Sequence, residues 1–249
     1  MSSTSASVSL PGLTRTTAAT VGGHRLRVTP WQGHRHIALV GPARARRNPT
    51  RDEIGRCLES LQQRGVASAF TPALSAFEAE PFLQAGFSLH ERLHLLACRL
   101  DGTTPSPGPT PRMRPGRPWD RHRVLDIDTR AFEQFWQFDK FSLRDARRAT
   151  PISRFTVATE GRQVIGYAVT GKAGRRGYLQ RLAVDPARTG GGVGTALVHD
   201  CFRWLEGRGV DMVMVNTQET NTRALGLYEH LGFRRQTEGL QVLRWGPTH

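Results

Sequence analysis

The sequence has little cysteine, hardly any lysine and no long apolar run. Its three cysteines, Cys57, Cys98 and Cys201, lack the short spacing of a zinc site, and an odd number does not form a disulfide framework. No segment approaches the roughly 20 apolar residues of a membrane span. Residues 1–20 lack the basic start and apolar core of a secretory signal and predict a flexible polar arm. These absences predict a cytoplasmic protein without a structural metal or a membrane association.

Positive charge is abundant but comes almost entirely from arginine. Lysine occurs only at Lys140 and Lys172, and the formal net charge is +14. The arginines are scattered rather than gathered into one stripe with interleaved aromatics, the pattern typical of nucleic-acid binding. Two interpretations stay open: compositional bias that also attracts a small anionic ligand, or a polyanionic partner such as the ribosome or a nucleic acid.

A proline-rich segment divides the chain. Residues 101–118 contain too many prolines for a helix or a central strand and are predicted to form a semi-stiff linker. The linker separates residues 21–100 from residues 119–249, which predicts two domains of unequal size.

The second domain alternates helical and strand patterns. Predicted helices cover residues 121–136, 143–149, 193–206 and 221–231, and predicted strands cover residues 155–159, 164–170, 178–184, 212–217 and 233–243. Antiparallel hairpins followed by βαβ elements predict an α/β fold with a mixed central sheet flanked by helices.

An internal repeat relates the first domain to the second. When Gly41 is placed under Asp185, Cys57 falls under Cys201 and Leu61 under Leu205 without a gap. After two residues of slippage, residues 85–87 fall under residues 231–233, Ala-Gly-Phe under Leu-Gly-Phe. An ordered set of matches predicts a truncated copy of the same half-fold in the first domain.

A glycine-packed turn follows the predicted strand that ends at Val184. Four of the five residues 190–194 are glycine, and a predicted helix begins there. Glycines let main-chain N–H groups converge, and the helix N terminus adds partial positive charge, so the turn favours a pyrophosphate. A merely flexible loop is the alternative, because the turn lacks the features of a Walker loop or a dinucleotide fingerprint.

A second element extends from Asn221 to Phe233. Asn221 is a natural N-cap, and Tyr228 lies on an otherwise apolar helix face, where it could also be an ordinary core residue. Together, the glycine turn and this element resemble the GNAT superfamily of N-acyltransferases over residues 154–243. The loop motif Arg/Gln-x-x-Gly-x-Gly/Ala falls on residues 189–194, and the motif Asn-x-x-Ala-x-x-Leu-Tyr-x-x-Leu-Gly-Phe falls on residues 221–233 without a gap.

The resemblance implies a site and a reaction. The main chain of the strand residues would pair with the pantetheine arm of acetyl-CoA, and the turn would hold the pyrophosphate. Tyr228 would protonate the leaving thiolate after direct attack by a primary amine in a ternary complex, and Asn221 would contact the cofactor arm. The implied binding residues are Leu182, Ala183 and Val184 on the strand, and Thr189, Gly190, Gly191, Gly192, Val193, Gly194 and Thr195 in the turn and helix start.

Two residues depart from the family pattern. Thr189 stands where Arg or Gln is usual, although Arg188 is adjacent and could contact a phosphate. Asn216 stands where members acting on protein N termini often carry a glutamate base, and an amide cannot take up the amine's proton. The base could be Asp139, Glu219 or a water chain, or the amine could arrive neutral. Trp136, Asp139 and Asn216 are predicted beside the acceptor, with core packing as the alternative for the aromatic residue.

The first domain has lost the corresponding chemistry. Residues 45–50, which align with the glycine turn, contain arginines and a proline, and Phe82 replaces Tyr228. This pattern predicts a degenerate copy that does not bind CoA. The whole sequence predicts an acetyltransferase acting on a small-molecule or peptide amine. The alternative is a non-catalytic protein that binds CoA or associates with the ribosome, and another CoA thioester such as succinyl-CoA could replace acetyl-CoA.

Overall fold

The computed structural model describes residues 26–43, 48–102, 104 and 111–247. The predicted arm, residues 1–20, and part of the predicted linker lie outside the described residues. The strands are β1 (Leu26–Trp31), β2 (His34–Pro42), β3 (Ser68–Phe70), β4 (Ser88–Arg99), β5 (Arg112–Pro115), β6 (Ile152–Glu160), β7 (Gln163–Ala173), β8 (Arg176–Val184), β9 (Met212–Gln218), β10 (Arg234–Arg235) and β11 (Leu240–Trp245). The α-helices are α1 (Arg51–Gln63), α2 (Ala76–Gln84), α3 (Arg121–Ala131), α4 (Lys140–Ala146), α5 (Val193–Glu206) and α6 (Thr222–His230).

The chain divides into two compact units with boundaries other than those predicted. Unit 1 comprises Met1–Leu93 with Glu238–His249, and unit 2 comprises His94–Thr237. Residues 238–249 join unit 1 because β11 pairs antiparallel with β3 and with the first half of β4. This pairing joins residues that are far apart in sequence, and no local pattern predicts it.

Unit 1 has a βαβ core. Strands β1 and β2 form an antiparallel hairpin, α1 follows, and β3 lies parallel to β2. Helix α1 begins at a capping box in which Thr50 and Glu53 each accept a main-chain N–H of the other. Its apolar face packs into a buried core together with Phe82 of α2 and Leu243 of β11.

Unit 2 has a sheet with helices on both faces. The strand order is β4-β9-β8-β7-β6-β5, with β10 against β4, and only β8 and β9 among the pairs described here run parallel. Adjacent residues of a strand face opposite sides. Thus Ile165 packs with α5 and α6, whereas Val164 packs with α3 and α4.

The mixed α/β fold with flanking helices is confirmed, and several element boundaries differ from prediction. Helix α5 covers the predicted residues 193–206. Helix α3 stops at Ala131 rather than residue 136, because Phe132 is extended and a separate short 3-10 turn covers Gln134–Trp136. Strand β5 lies inside the predicted linker; it is an edge strand, where proline is tolerated. None of the described helices is long and apolar enough to cross a membrane.

Candidate functional site

Strands β8 and β9 of unit 2 separate along their length. Their ladder joins only residues 176–178 to residues 212–214, although β8 continues to Val184 and β9 to Gln218. On the other edge of β8, the N–H of Asp185 donates to the carbonyl of Ile165. Because main-chain groups alternate along an antiparallel strand, those of Leu182 and Val184 face away from β7. They form an open strand edge on the side where β9 has diverged, whereas the main chain of Ala183 faces β7.

The glycine turn leads directly from this edge to α5. Gly190 and Gly192 have φ values of 84° and 74°, which side chains rarely permit. Gly192 is the N-cap of α5, and no side chain caps this helix. The first N–H groups of α5, from Val193 to Thr195, therefore point into an exposed turn with partial positive charge, an arrangement that binds phosphate oxygens.

Polar contacts fix the start of the turn. Asp185 is 4% exposed, accepts the N–H of Ala187 and forms ion pairs with Arg123 and Arg130 of α3. The Arg130 guanidinium holds the pKa of Asp185 below its ordinary value, so the anchor stays charged at neutral pH. The Thr189 hydroxyl donates to the Pro186 carbonyl at 2.8 Å.

Arg188, the predicted substitute for the missing family arginine or glutamine, forms an ion pair with Glu160 at 2.8 Å. Both side chains are about half exposed, 46% and 50%. An exposed pair of this kind contributes little stability, so its arginine can exchange partners at low cost.

Tyr228 lies on the inner face of α6 and is 5% exposed. Its ring contacts Phe233, with centroids 5.4 Å apart, inside the core that α5 and α6 share. Leu182 and Val184 pack against this same core. Burial raises the pKa of Tyr228 well above its ordinary value, so the phenol keeps its proton throughout the neutral range.

Two asparagines lie after the point where β9 separates from β8. Asn221 caps α6, its Oδ1 accepting the N–H of Ala224 at 3.0 Å. Asn216 is exposed on the part of β9 that has left β8. Its neighbours Val215 and Thr217 are buried, so Asn216 points to the opposite face of the sheet, the face of α3 and α4.

The predicted acceptor residues lie between α3 and α4. Asp139 is the N-cap of α4, and its Oδ1 accepts the N–H of Ser142 at 2.7 Å and that of Phe141 at 3.0 Å. Trp136 is half-buried against Phe135, with ring centroids 5.0 Å apart. Because the Asp139 carboxylate already caps α4, it is a weaker candidate for the general base that takes the proton of the amine.

The sequence analysis missed Gln180. The register of β7 and β8 shifts between Val169 and Thr170, which leaves Gln180 as the extra residue of a β-bulge. Its Nε2 donates to Thr150 Oγ1 at 3.4 Å, while its Oε1 is buried without a hydrogen-bond partner among the described residues. A Cβ at Gly171 would lie 2.6 Å from Nε2, so glycine makes room for the amide.

The analysis also missed a buried ion pair between Asp128 of α3 and Arg181 of β8. Asp128 lies one turn from Val124 and next to Ile127, the buried apolar residues of α3. A charge on such a face is a signal that a partner is buried with it. Within the described ranges, no three His, Cys, Asp or Glu residues are grouped so that they could hold a metal ion.

Comparisons with known proteins point to one family of enzymes. The model of the acetyltransferase (GNAT) family matches residues 121–233. Mycothiol acetyltransferase of Thermobispora bispora is 31% identical over 209 residues, which cover 76% of this chain and 70% of that protein. Mycothiol acetyltransferase of Salinispora tropica is 36% identical over 135 residues, but that match covers only 49% of this chain and 43% of the relative.

Solved structures share the fold. A tandem GNAT protein from the clavulanic acid biosynthesis pathway has a TM-score of 0.66 at 14% identity, covering 90% of this chain and 79% of that one. A GCN5-related N-acetyltransferase from Sphaerobacter thermophilus has a TM-score of 0.60 at 18% identity, covering 90% of this chain and 77% of that one.

The chain belongs to the GNAT family of acetyltransferases, and it is an enzyme that transfers an acetyl group to an amine. The predicted family and activity are thereby confirmed. The alternative, a non-catalytic protein associated with the ribosome or a nucleic acid, is not favoured.

Proposed function

We propose that unit 2 transfers the acetyl group of acetyl-CoA to a primary amine of a small molecule by direct attack in a ternary complex. The observation that carries this proposal is the open edge of β8, which leads directly into the uncapped N terminus of α5. A strand edge suits the amides of a pantetheine arm, and the helix N terminus suits a pyrophosphate. The strand edge adjoins the helix N terminus, just as the pantetheine arm adjoins the pyrophosphate in acetyl-CoA.

The proposed donor contacts use main chain more than side chains. The open N–H and C=O groups of Leu182 and Val184 would pair with the pantetheine arm, and amides from Gly190 to Thr195 would hold the phosphates. Arg188 would leave Glu160 for a phosphate. Asn221 would contact the same arm while it caps α6. Ala183 contributes chiefly by keeping β8 paired with β7.

Tyr228 is proposed as the general acid that protonates the departing thiolate. Its raised pKa guarantees that the phenol carries the proton at neutral pH. We propose that the amine binds in its neutral form, because Asn216 cannot accept a proton and Asp139 already caps α4. Glu219, which is exposed, and a water chain stay as alternative routes for the proton.

The small-molecule acceptor is proposed from two observations. The relatives with the matches given above are mycothiol acetyltransferases. In addition, the amide oxygen of Gln180, two residues before Leu182 on β8, is buried without a partner among the described residues and would accept a hydrogen bond from a small polar acceptor. A cytoplasmic location belongs to the same proposal, because Cys57, Cys98 and Cys201 are free thiols, as a reducing compartment keeps them.

The activity is tested with a panel of amines: glucosamine, spermidine, lysine methyl ester and a short peptide with a free N terminus. Loss of the thioester is followed with acetyl-CoA and, separately, with succinyl-CoA as donor. We expect faster transfer from acetyl-CoA, and to glucosamine or another small amine rather than to the peptide. Preference for the peptide would contradict the proposed acceptor class, and preference for succinyl-CoA would contradict the donor.

Gln180→Leu is expected to raise the KM for the acceptor about tenfold while the Kd for acetyl-CoA stays near the wild-type value. The reason is that a buried carbonyl oxygen without a partner can accept a hydrogen bond from a substrate N–H or O–H, and losing such a bond costs about 1–2 kcal/mol. Gln63→Leu, at the end of α1 in unit 1, is the matched control and should leave both constants unchanged. An unaltered acceptor KM in Gln180→Leu would remove Gln180 from the acceptor site.

Unit 1 is proposed to be a degenerate copy in a tandem arrangement that does not bind acetyl-CoA. Helix α1 is capped by Thr50 and carries acidic Glu53 in its first turn, where a phosphate would need positive potential. Pro72 lies so close to Gly41 that a Cβ there would be 2.7 Å from the proline ring, so the end of β2 is covered. Phe82 is fully buried in place of the tyrosine.

Calorimetric titration of acetyl-CoA into the full chain is expected to give one binding site per chain. The Gly192→Glu variant identifies that site, because the heat of acetyl-CoA binding should vanish in this variant. Two sites in the wild-type chain, of which one survives in Gly192→Glu, would mean that unit 1 also binds the donor and that the tandem copy is functional.

A further inference from the structure

The guanidinium of Arg181 contacts one carboxylate, one main-chain carbonyl and two aromatic rings. Its Nε donates to Asp128 Oδ2 at 2.8 Å, and its Nη2 donates to Asp128 Oδ1 at 2.7 Å and to the carbonyl of Trp136 at 2.7 Å. The rings of Phe132 and Phe138 lie 3.4 Å and 4.0 Å from its central carbon. The side chains of Arg181 and Asp128 are only 8% and 0% exposed.

The carboxylate of Asp128 is equally engaged. Besides Arg181, it accepts the main-chain N–H of Phe138 at 2.6 Å and the hydroxyl of Tyr167. The oxygens of this carboxylate accept four hydrogen bonds inside the core, which leaves no lone pair directed at a substrate. The pair is therefore excluded as the missing base and as a direct ligand of the acceptor.

The contacts of the pair converge on one stretch of irregular chain, residues 132–139, which we name the wall segment. Two of its aromatic rings, one carbonyl and one N–H are bound by Arg181 or Asp128. Gln137 adds a further attachment, because its Nε2 donates to the carbonyls of Thr129 and Phe132. The wall segment contains Trp136 and Asp139, the residues predicted to lie beside the acceptor.

The position of Arg181 connects this wall segment to the donor strand. Arg181 lies between Gln180, the bulge residue, and Leu182, where the open edge of β8 begins. A buried ion pair is a poor source of stability compared with apolar side chains of the same volume, whereas it imposes a single geometry. Its value here lies in setting the distance between the wall segment and the edge.

We infer that Arg181 and Asp128 are positioning residues that hold the wall segment at a fixed place beside the open edge of β8, and so set where the amine meets the thioester. The inference rests on the proposed function of unit 2. Misplacement of about 1 Å can lower a rate by about a hundredfold. Loss of the pair should therefore act on the acceptor step and spare donor binding.

The decisive variant replaces both charges at once. Asp128→Leu/Arg181→Met leaves no buried unpaired charge, so it is expected to fold. Its Tm should fall, because the Tyr167 hydroxyl and the main-chain N–H of Phe138 lose their acceptor. We expect faster hydrogen–deuterium exchange across residues 132–139 and an acceptor kcat/KM lowered about a hundredfold. The Kd for acetyl-CoA should stay within about threefold of the wild-type value, a change below 1 kcal/mol.

Arg181→Lys provides the second variant, because lysine keeps the charge but cannot make the forked contact or the stacking. It should lower the acceptor kcat/KM to an intermediate extent. Arg175→Lys is the matched control, because Arg175 forms an exposed ion pair with Asp211. The Arg175 side chain is 77% exposed and that of Asp211 is 48% exposed. The control should leave exchange, kcat/KM and Tm unchanged.

The outcomes separate the two proposals. A folded double variant with wild-type exchange in residues 132–139 and wild-type acceptor kcat/KM would overturn the positioning role. A Kd for acetyl-CoA that weakens as much as kcat/KM would overturn it too, by making Arg181 part of the donor site. If the wild-type enzyme acetylates no amine of the panel, the proposed function fails, whereas hydrogen–deuterium exchange still decides whether the pair holds the wall segment.

Discussion

Tyr228→Phe is expected to lower kcat at least about a hundredfold, the usual contribution of a positioned general acid. The phenol lies in the apolar core of α5 and α6, against which Leu182 and Val184 also pack. Phenylalanine preserves the contact with the Phe233 ring at 5.4 Å, so only the proton donor is lost. Donor affinity should change little, because the proposed donor contacts all come from other residues.

The measurement is steady-state kinetics with the best amine of the panel, together with calorimetry of acetyl-CoA. Tyr178→Phe is the matched control: Tyr178 lies where β8 still pairs with β9, before the strands separate, and its variant should turn over at nearly the wild-type rate. Equal rates for Tyr228→Phe and the wild-type enzyme would remove Tyr228 from the mechanism.

The pH profile gives an independent check on Tyr228. Because burial raises its pKa, ionisation of this phenol cannot reduce kcat until the pH exceeds the ordinary tyrosine value of about 10. A fall in kcat at lower pH must come from another group. If Tyr228→Phe abolished an alkaline fall centred below that value, the burial argument would be contradicted.

Features that depend on neighbouring residues could be predicted from the sequence. The glycines of residues 190–194 predicted a tight turn before α5, and in the structure Gly190 and Gly192 have positive φ there. Asn221 was expected to cap α6, and it does. Each of these rules concerns the main chain within one helical turn, so a single sequence contains the whole of the information.

Features that depend on distant residues could not be predicted in this way. Strand β11 was expected to continue unit 2, but its partners are β3 and β4, more than one hundred residues earlier in the sequence. Arg181 and Asp128 stood 53 positions apart in the sequence and became a pair only when β8 met α3. The early end of α3 follows from the same contact, since Asp128 takes the N–H of Phe138 and the chain must turn back to supply it.

The unpaired amide of Gln180 illustrates the same limit at a single residue. Its position in a bulge depends on the register between β7 and β8, and its burial depends on Thr150 and on the absence of a side chain at Gly171. Strand periodicity alone places Gln180 on a regular strand with one face in the core. The buried amide of Gln180 therefore required the structure, whereas the glycine turn and the Asn221 cap could be predicted from motifs.

Gly192→Glu is expected to weaken acetyl-CoA binding at least about a hundredfold, which corresponds to about 2.7 kcal/mol. Two effects act together. A side chain at a φ of 74° strains the main chain that shapes the turn, at a typical cost of about 1–3 kcal/mol. A carboxylate at the N-cap of α5 would also accept the N–H groups that we propose bind the pyrophosphate, and it would repel the charge of that group.

Gly174→Glu separates binding from strain in the same calorimetric titration. Gly174 has a φ of 59°, an ideal Cβ there meets nothing within 4 Å, and it lies in the turn before β8, at the other end of that strand from the glycine turn. It therefore carries the same new charge and a similar strain without touching the proposed phosphate site. We expect wild-type affinity for acetyl-CoA in Gly174→Glu and none detectable in Gly192→Glu. Equal affinities in the two variants would mean that the phosphates are held elsewhere, and the donor site would have to be moved away from the N terminus of α5.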